Sequence, residues 1–374
     1  MPAGAATRSI ACAMTEPAAS AAATAPLPWL VADVGGTHAR FGWVDAADAV
    51  PRQVQVLATR DHAGPLPAAR AYLAGLRALG VAAAPNAAAF ALAGPVQGDA
   101  PALTNAGWTF DRTVLAAGLG VERLLLLNDF EALALALPTL QAAQLHTHGA
   151  WPPPVGVRAV VGPGTGLGVA TLVPTPTGWQ AVAGEGGHAT LAAADDYEQA
   201  VIAAARHEPA RPPEGLIPEC AARRCSSEHA HVSAERLLSG SGLPLLHRAV
   251  AAVDGVAVPP LDTPTLVALA RDGADAQALR TLDVFFALLG GFAGNLALTV
   301  GARGGLYIGG GLVPRVAELY ARSRFRQRFE AKGRFEDYLR AIPTHLITDP
   351  LAGLHGVARA LAGSAPQGVG EQDR

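Results

Sequence analysis

The sequence predicts an α/β protein made of two related halves. Short apolar runs bounded by glycine, which are typical of strands, alternate along the chain with segments of helical spacing. Two Gly/Thr turns, Asp33–Thr37 and Gly162–Gly166, each join two such runs and recur about 130 residues apart. The chain has 374 residues, more than one hydrophobic core usually holds, so two domains are expected.

The composition excludes several classes of protein. Half of the residues are apolar, 16% are charged and the net charge is −3, which indicates a globular chain without a basic surface for nucleic acid. The three cysteines, Cys12, Cys220 and Cys225, form no disulfide framework, in keeping with a reducing cytoplasm. No apolar run is expected to reach the ~18–20 residues of a membrane span. The sequence therefore predicts a cytoplasmic protein without a nucleic-acid or membrane partner.

The first half follows an Ala-rich start. Residues 1–27 contain an acid and no sustained block of Leu, Val and Ile, which indicates a disordered extension rather than a signal peptide, and Met14 is an alternative start. The predicted elements are then strands at 29–34 and 40–44, a helix at 68–80, a strand at 87–94, a loop at 104–110, a buried strand at 123–130 and a helix at 131–138 that Pro138 ends.

The second half begins after a proline-rich break at 152–154. Its predicted elements are a strand–turn–strand unit at 159–173, helices at 195–206, 233–239 and about 281–300, and a glycine run at 304–315 that joins a strand to the start of a helix. The Pro- and Arg-rich segment 207–230 has no periodicity and is predicted to be an exposed insertion.

The glycine turns suit an anion. A tight Gly/Thr hairpin leaves backbone N–H groups pointing into a concavity, where phosphate binds; the alternative is a simple hairpin in which glycine supplies a positive φ. Two such turns and a third glycine run favour a polyphosphate held between the halves. No Lys follows these glycines, which excludes a P-loop, and the strand GVATLV after GPGTGLG disfavours a Rossmann site.

The motif LLLLNDF places polar residues at the end of a buried strand. Open α/β sheets bind their ligands there, and Asp129 could accept the proton of a substrate hydroxyl that attacks a phosphoryl group. Asn128 beside it could bind a sugar hydroxyl. Alternatively, Asn128 or Asp129 is the N-cap of the following helix.

Two further motifs carry polar groups suited to a polyol. In GEGGHATL, Glu185 can accept and neutral His188 can donate or accept, although a solvated turn is an equal alternative. In HVSAERLLSG, Ser233 is a plausible N-cap and Glu235 suits the first turn of the helix, a structural role that is sufficient by itself.

A cluster of possible zinc ligands lies in and just after the predicted insertion. Its members are Cys220, Cys225, His229 and His231. This C-x4-C-x3-H-x-H spacing is not usual for structural zinc, so the segment is interpreted as a loop.

These motifs, in this order, resemble the bacterial hexokinase-like glucokinase family of the actin/hexokinase/Hsp70 superfamily. The resembling stretches are LVADVGGTHAR, TNAGWTF, LNDFEALALALP, VVGPGTGLGVATLV, GEGGH, HVSAERLLSG, GGFAGNLAL and GGLYIGGGLVPR, from about residue 30 to about 356. The resemblance implies two actin-like (ribonuclease H-like) domains with a cleft between them. It also implies ATP-dependent phosphorylation of the 6-hydroxyl of glucose, the entry step of glycolysis, by a cytoplasmic enzyme that is commonly a homodimer.

The resemblance further implies a role for individual residues. Asp129 would be the general base, and the sugar ligands would be Asn105, Asn128, Asp129, Glu185, His188 and Glu235. Asp33 would act on Mg²⁺, through water. The phosphates and nucleoside would lie against Gly35, Gly36, Thr37, Gly164, Thr165, Gly166, Gly309, Gly310 and Gly311.

The domain boundaries that follow from the resemblance divide the chain unevenly. The small domain would comprise 28–138 and 349–365, and the large domain 139–348, between the extension 1–27 and a flexible tail at 366–374. His38 stands where the family usually has Asn, and the 207–230 insertion is longer than expected.

Two alternatives remain beside a glucokinase. A kinase for another hexose or N-acetylhexosamine is one, although GEGGHATL lacks the following cysteines that the repressor–open reading frame–kinase group usually carries. The other is a non-catalytic sugar sensor, which would be expected to lack the base, whereas Asp129 is present. A sugar-responsive transcription regulator of the same fold would need a helix-turn-helix, and the first 27 residues offer none.

Overall fold

The structure is a computed structural model that describes residues 25–82, 84–94, 96, 102–103, 107–207 and 231–363. The candidate sugar ligand Asn105 lies outside the described residues. So do the predicted tail, most of the predicted N-terminal extension and, apart from its first residue, the predicted insertion. Of the possible zinc ligands, only His231 lies within the described part of the chain.

The first sheet has five strands in the order β3-β2-β1-β4-β7. Strands β1, β2 and β3 form an antiparallel meander, whereas β4 and β7 run parallel to β1. A short antiparallel pair, β5 and β6, lies apart from this sheet. The strands of this half are β1 (Trp29–Val34), β2 (His38–Val44), β3 (Arg52–Ala58), β4 (Ala87–Leu92), β5 (Ala102–Leu103), β6 (Trp108–Thr109) and β7 (Arg123–Asn128).

The second sheet repeats the arrangement of the first and adds one strand at its edge. Its order is β11-β10-β9-β12-β13-β8, with an antiparallel meander of β9, β10 and β11 and with β12 and β13 parallel to β9. The predicted repeat of two related halves is therefore confirmed. The strands are β8 (Leu145–His148), β9 (Arg158–Pro163), β10 (Leu167–Thr175), β11 (Gly178–Gly184), β12 (Leu306–Ile308) and β13 (Thr344–Ile347).

Helices cover both sheets. They are α1 (Pro65–Ala78), α2 (Arg112–Leu119), α3 (Asp129–Ala136), α4 (Asp196–His207), α5 (Ala234–Leu237), α6 (Leu243–Asp254), α7 (Thr263–Arg271), α8 (Ala276–Val300), α9 (Ala317–Ala321), α10 (Phe325–Glu330), α11 (Glu336–Arg340) and α12 (Ala352–Gly363). The central strands β4 and β9 are buried along their whole length. Strands enclosed on both faces read as continuous apolar runs, which is why AAAFAL and AVVG were recognised as strands.

Helix α8 corrects the expectation that no segment reaches the length of a membrane span. By length and composition alone its 25 residues could cross a membrane. However, 61% of its most apolar window is buried, and side chains such as Phe285, Phe286 and Leu289 lie in the core of the second half. Packing against other helices accounts for its apolar character, because a helix enclosed on most sides needs no polar face.

Helix α3 connects the two halves. Ala132 lies in the apolar cluster of the first sheet, whereas Phe130 and Leu133 pack against the cluster of the second sheet. The phenyl ring of Phe130 lies on the backbone of β9 and β10, where a Cβ atom at Gly162 or Gly168 would collide with it. The start of α3 is therefore fixed between the two sheets.

Helix α12 returns the end of the chain to the first sheet. Leu354, Val357 and Leu361 pack into the same cluster as Val31 of β1. The helix crosses α3 so closely that a Cβ at Gly356 would overlap the carbonyl oxygen of Ala132. Helix α12 thus lies within the segment 349–365 that the resemblance assigns to the small domain, and it packs directly against α3.

The crossing of α12 and α3 predicts that Gly356→Ala destabilises the protein. The added methyl group meets backbone, which cannot rotate away, so we expect the free energy of unfolding to fall by ~1–3 kcal/mol in urea titrations. The control is Gly291→Ala in α8, where nothing lies within 4 Å of the added Cβ and helix propensity favours Ala by up to ~1 kcal/mol. Equal stability of the two variants would contradict this packing.

Candidate functional site

Two carboxylates lie at the same edge of the first sheet. Asp33 stands near the carboxyl end of β1, and Asp129 follows β7 directly. Both strands run parallel to β4 between them, so their carboxyl ends meet at one edge. The charge of Asp33 acts on Asp129 and raises its pKa, which shows that the two groups are neighbours.

Asn128 caps α3, as one of the two interpretations of the LLLLNDF motif predicted. Its Oδ1 accepts hydrogen bonds from the backbone N–H groups of Phe130 and Glu131 at 2.9 and 3.3 Å. Its Nδ2 donates to the carbonyl of Gly94 at 3.3 Å. Within the described residues, this leaves one amide hydrogen of Asn128 for a ligand. The cap also starts the helix at Asp129, two residues before the predicted start, and ends β7 two residues early.

Asp129 occupies the first position of α3, where it is largely enclosed. Burial raises its pKa to about 7, and the charges of Asp33 and Glu185 act in the same direction. A hydrogen bond from the backbone N–H of Phe130, 2.9 Å from Asp129 Oδ1, opposes the rise. A carboxylate with this pKa can both take up and release a proton near neutral pH.

Glu185, His188 and Glu235 form a polar cluster on the second half. His188 lies between the glutamates, with its Nε2 3.8 Å from Glu185 Oε2 and its Nδ1 4.0 Å from Glu235 Oε1. The side chains of Glu185 and His188 are 76% and 60% exposed. Their polar atoms are therefore open to a ligand, and the charge of Glu185 contributes to the raised pKa of Asp129.

Glu235 is held more firmly than the other two members of the cluster. Its Oε2 accepts a hydrogen bond from the backbone N–H of Leu167 at 2.8 Å, at the end of the turn between β9 and β10. Ser233 caps the short helix α5, as predicted, by accepting from the N–H of Arg236. The first-turn position of Glu235 was therefore anticipated, but its contact with a distant strand was not.

Asp33 forms an ion pair that the sequence analysis missed. Arg40 Nη1 lies 3.4 Å from Asp33 Oδ2, and burial raises the pKa of Asp33 while Arg40 opposes that rise. The two residues are paired across the antiparallel strands β1 and β2. A hairpin register centred on Gly36-Thr37 would have found this pair, because it places Arg40 opposite Asp33.

Three of the glycines predicted to bind phosphate or nucleoside are closely packed against other residues. A Cβ at Gly166 would collide with the carboxylate of Glu235, and one at Gly310 with the carbonyl of Pro163. At Gly309 the added atom would lie 2.6 Å from a methyl group of Leu133 in α3. Gly310 also has a φ of +76°, which favours glycine. Gly310 therefore needs glycine whether or not a ligand binds, whereas a methyl group at Gly166 or Gly309 would require the end of the Glu235 or Leu133 side chain to move.

Three others have no such explanation. A Cβ at Gly164 or Gly311 would meet nothing within 4 Å, and one at Gly35 would meet only the carbonyl of His38 at 3.6 Å, an ordinary contact. None of the three has a positive φ, so the hairpin interpretation does not account for them. Gly35, Gly164 and Gly311 therefore face open space that a ligand can enter.

The turns that carry these glycines are held from outside. Thr59 donates its hydroxyl to the carbonyl of Gly36 at 2.8 Å, and its N–H to the carbonyl of Thr37 at 3.0 Å. The carbonyl of Thr165 accepts from the Ser241 hydroxyl at 2.9 Å. These hydrogen bonds from Thr59 and Ser241 fix the backbone of both turns.

A cavity of about 340 Å³ adjoins the third glycine run. It lies between α7 and the segment that follows Gly311, and is lined by Thr263, Pro264, Val267, Ala268, Arg271, Leu312 and Arg315. Its mixed apolar and cationic lining suits a planar base with polar substituents.

Comparisons with known proteins agree with this geometry. The sequence model of the glucokinase family matches residues 30–213 and 218–364. A glucokinase of Chromobacterium violaceum is 45% identical over 90% of this chain and 89% of its own length. One of Aromatoleum aromaticum is 43% identical over 89% and 94%. The crystal structure of a glucokinase from an Antarctic psychrotroph is 35% identical, with a TM-score of 0.76 over 90% of this chain and 99% of that one.

The raised pKa of Asp129 predicts how its removal alters stability with pH. Protonated Asp129 is favoured in the folded state, so its contribution to stability is present below the ordinary value of 3.8 and is lost as pH rises to about 7. Asp129→Asn carries no charge at any pH. We therefore expect the wild type to lose stability relative to this variant across that interval, as measured by urea midpoints at several pH values.

The matched control is Asp111→Asn at the N-cap of α2. Hydrogen bonds from the side chain and backbone of Thr113 and from the backbone of Val114 lower the pKa of Asp111, so its contribution is instead lost as pH falls. If Asp129→Asn and the wild type lost stability in parallel, Asp129 would titrate normally.

Proposed function

The chain belongs to the glucokinase family, and we propose that it transfers the terminal phosphoryl group of ATP to the 6-hydroxyl of glucose. The product would be glucose 6-phosphate. The observation that carries this proposal is Asp129, a carboxylate with a pKa of about 7 at the start of the helix that touches both sheets, whose pKa is raised in part by Glu185 of the polar cluster.

Asp129 is the proposed general base. A sugar hydroxyl is a weak nucleophile until its proton is removed, and a base with a pKa near the working pH is best suited to remove it. The hydroxyl oxygen forms the new bond to phosphorus, its proton passes to Asp129, and ADP leaves with the electrons of the broken bond. Asn128 fixes the first turn of α3 and so the position of this carboxylate.

The polar cluster is the proposed sugar site. Neighbouring hydroxyls of a hexose need both donors and acceptors, which a histidine between two glutamates supplies. On the first half, the remaining amide hydrogen of Asn128 would donate to a sugar hydroxyl, and Asp129 would accept a hydrogen bond from another. Asn105, which lies outside the described residues, is proposed as a further ligand on family grounds alone.

The open glycines are the proposed phosphate contacts. Gly35 and Gly164 stand in the corresponding turns of the two halves, and each leaves space where a side chain would otherwise stand. Backbone N–H groups in such turns favour anions. Gly36, Thr37, Thr165 and Gly166 are proposed as the remaining contacts of these turns.

Asp33 is the proposed residue that acts on Mg²⁺, through water. Among the described residues no group of three or more acidic, histidine or cysteine side chains could hold a metal ion. Mg²⁺ usually binds through one or two carboxylates together with substrate phosphates, so the single carboxylate of Asp33 fits an ion carried by the nucleotide. When bound, such an ion offsets the negative charge of the phosphates.

The cavity beside α7 is the proposed position of the nucleoside. It begins directly after Gly311, where an added Cβ would meet nothing within 4 Å, while Gly309 and Gly310 shape the backbone there. Arg271 and Arg315 line this cavity. Both could contact the ribose or the first phosphate.

A cleft between two domains could also exclude water from this reaction. Water is a competing acceptor, so closure over the bound sugar would protect the phosphoryl group from hydrolysis. Helix α3 touches both sheets, which makes it the proposed support of that movement. A cytoplasmic location and a homodimeric state are proposed on family grounds alone.

The direct test is the release of ADP from Mg²⁺–ATP in the presence of glucose, mannose, fructose or N-acetylglucosamine. We expect clear preference for glucose. Asp129→Asn keeps the shape of the side chain but cannot take the proton, so we expect kcat to fall by at least ~10²-fold while glucose binding is largely retained. Near-normal turnover of this variant would show that Asp129 is only a ligand. Binding of glucose without ADP release by the wild type would favour a sugar sensor.

A further inference from the structure

We propose that His231 is a positioning residue for the sugar site. It holds the turn of Glu185 and His188 against the segment that carries Glu235. This inference rests on the proposed sugar role of that turn, and it assigns a use to a histidine that the sequence analysis could explain only as an unconvincing zinc ligand.

Both ring nitrogens of His231 are engaged. Nε2 lies 2.9 Å from the backbone carbonyl of His188, and Nδ1 lies 3.2 Å from the hydroxyl of Thr190. A carbonyl only accepts, so Nε2 carries the hydrogen, and the hydroxyl of Thr190 can donate to Nδ1. The imidazole therefore spans two positions of the other segment. Ligation of zinc by either nitrogen would break one of these bonds.

The bonds of His231 extend a short antiparallel ladder between the two segments. The N–H of Leu191 donates to the carbonyl of Val232 at 3.0 Å, and the N–H of Ala234 donates to the carbonyl of Ala189 at 2.9 Å. An isolated bridge pairs Thr190 with Ser233. Within the part of the chain that the structure describes, the side chain of His231 extends these bonds to the peptide of His188.

That reach matters because His188 and Glu235 must share one ligand. Their side chains are 4.0 Å apart, but they belong to segments more than forty residues apart in the chain. Glu235 is fixed by Leu167, whereas the side chain of His188 is 60% exposed and lies beside the two glutamates. The hydrogen bond from His231 to the backbone carbonyl of His188 therefore fixes the main chain from which the His188 side chain projects.

The function of His231 is thus to set the spacing of two sugar ligands, without touching the sugar. Displacements of ~1 Å at a reacting centre can cost ~10²-fold in rate. Loss of this hydrogen bond is therefore expected to impair mainly the use of glucose by the enzyme. The nucleotide site lies on other turns and should be unaffected.

The test compares His231→Ala, His231→Gln and the control His146→Ala, which removes an exposed histidine from the edge strand β8. We expect His231→Ala to raise the KM for glucose ~10-fold or more with an unchanged KM for ATP. Gln places an N–H donor at about the position of Nε2, so His231→Gln should recover most of the loss. The control should match the wild type.

Equal KM values for glucose in His231→Ala and the wild type would overturn the inference. So would a parallel rise in the KM for ATP, or failure of Gln to improve on Ala, because each indicates general disruption. The dissociation constant of glucose, measured by titration calorimetry without nucleotide, is independent of turnover. If the wild type released no ADP, the proposed function would fail, and calorimetry on the same variants would still decide the role of His231.

Discussion

The structure depends on one packing contact, that of Phe130 with the glycine-lined backbone of β9 and β10. Gly162 and Gly168 leave just enough space for the phenyl ring, so α3 can lie directly on the second sheet while its other side faces the first. Because Asp129 immediately precedes Phe130, the contact that joins the halves also places the reactive carboxylate between them. Helix α12 supports this arrangement through the close approach at Gly356.

This placement has an electrostatic consequence. A carboxylate enclosed between two sheets and near two other acids favours its protonated form, since ionisation there costs more than in water. The protein therefore keeps Asp129 in a state that opposes folding stability at neutral pH. Such a cost is common at active sites, where the pKa that destabilises the fold is the one that catalysis uses.

The motifs could be predicted from local sequence patterns, whereas the contacts of each residue depend on tertiary packing. The sequence predicted the repeat, Asp129 at a strand end and, as one alternative, a helix cap at Asn128 or Asp129, because these follow from burial and helix termini. It could not separate Gly164, which faces open space, from Gly166, which packs against Glu235, because that distinction depends on a residue far along the chain. The bonds of His231 were invisible for the same reason.

The central claim is that Asp129 accepts the proton of the sugar. It is tested most directly by the pH dependence of kcat/KM for glucose, measured from pH ~5 to ~9 at saturating nucleotide. The account predicts an acid limb with an apparent pKa of about 7, below which activity falls tenfold per unit of pH. Activity that stays constant down to pH ~5 would contradict it, because a base with the proposed pKa would by then be almost fully protonated.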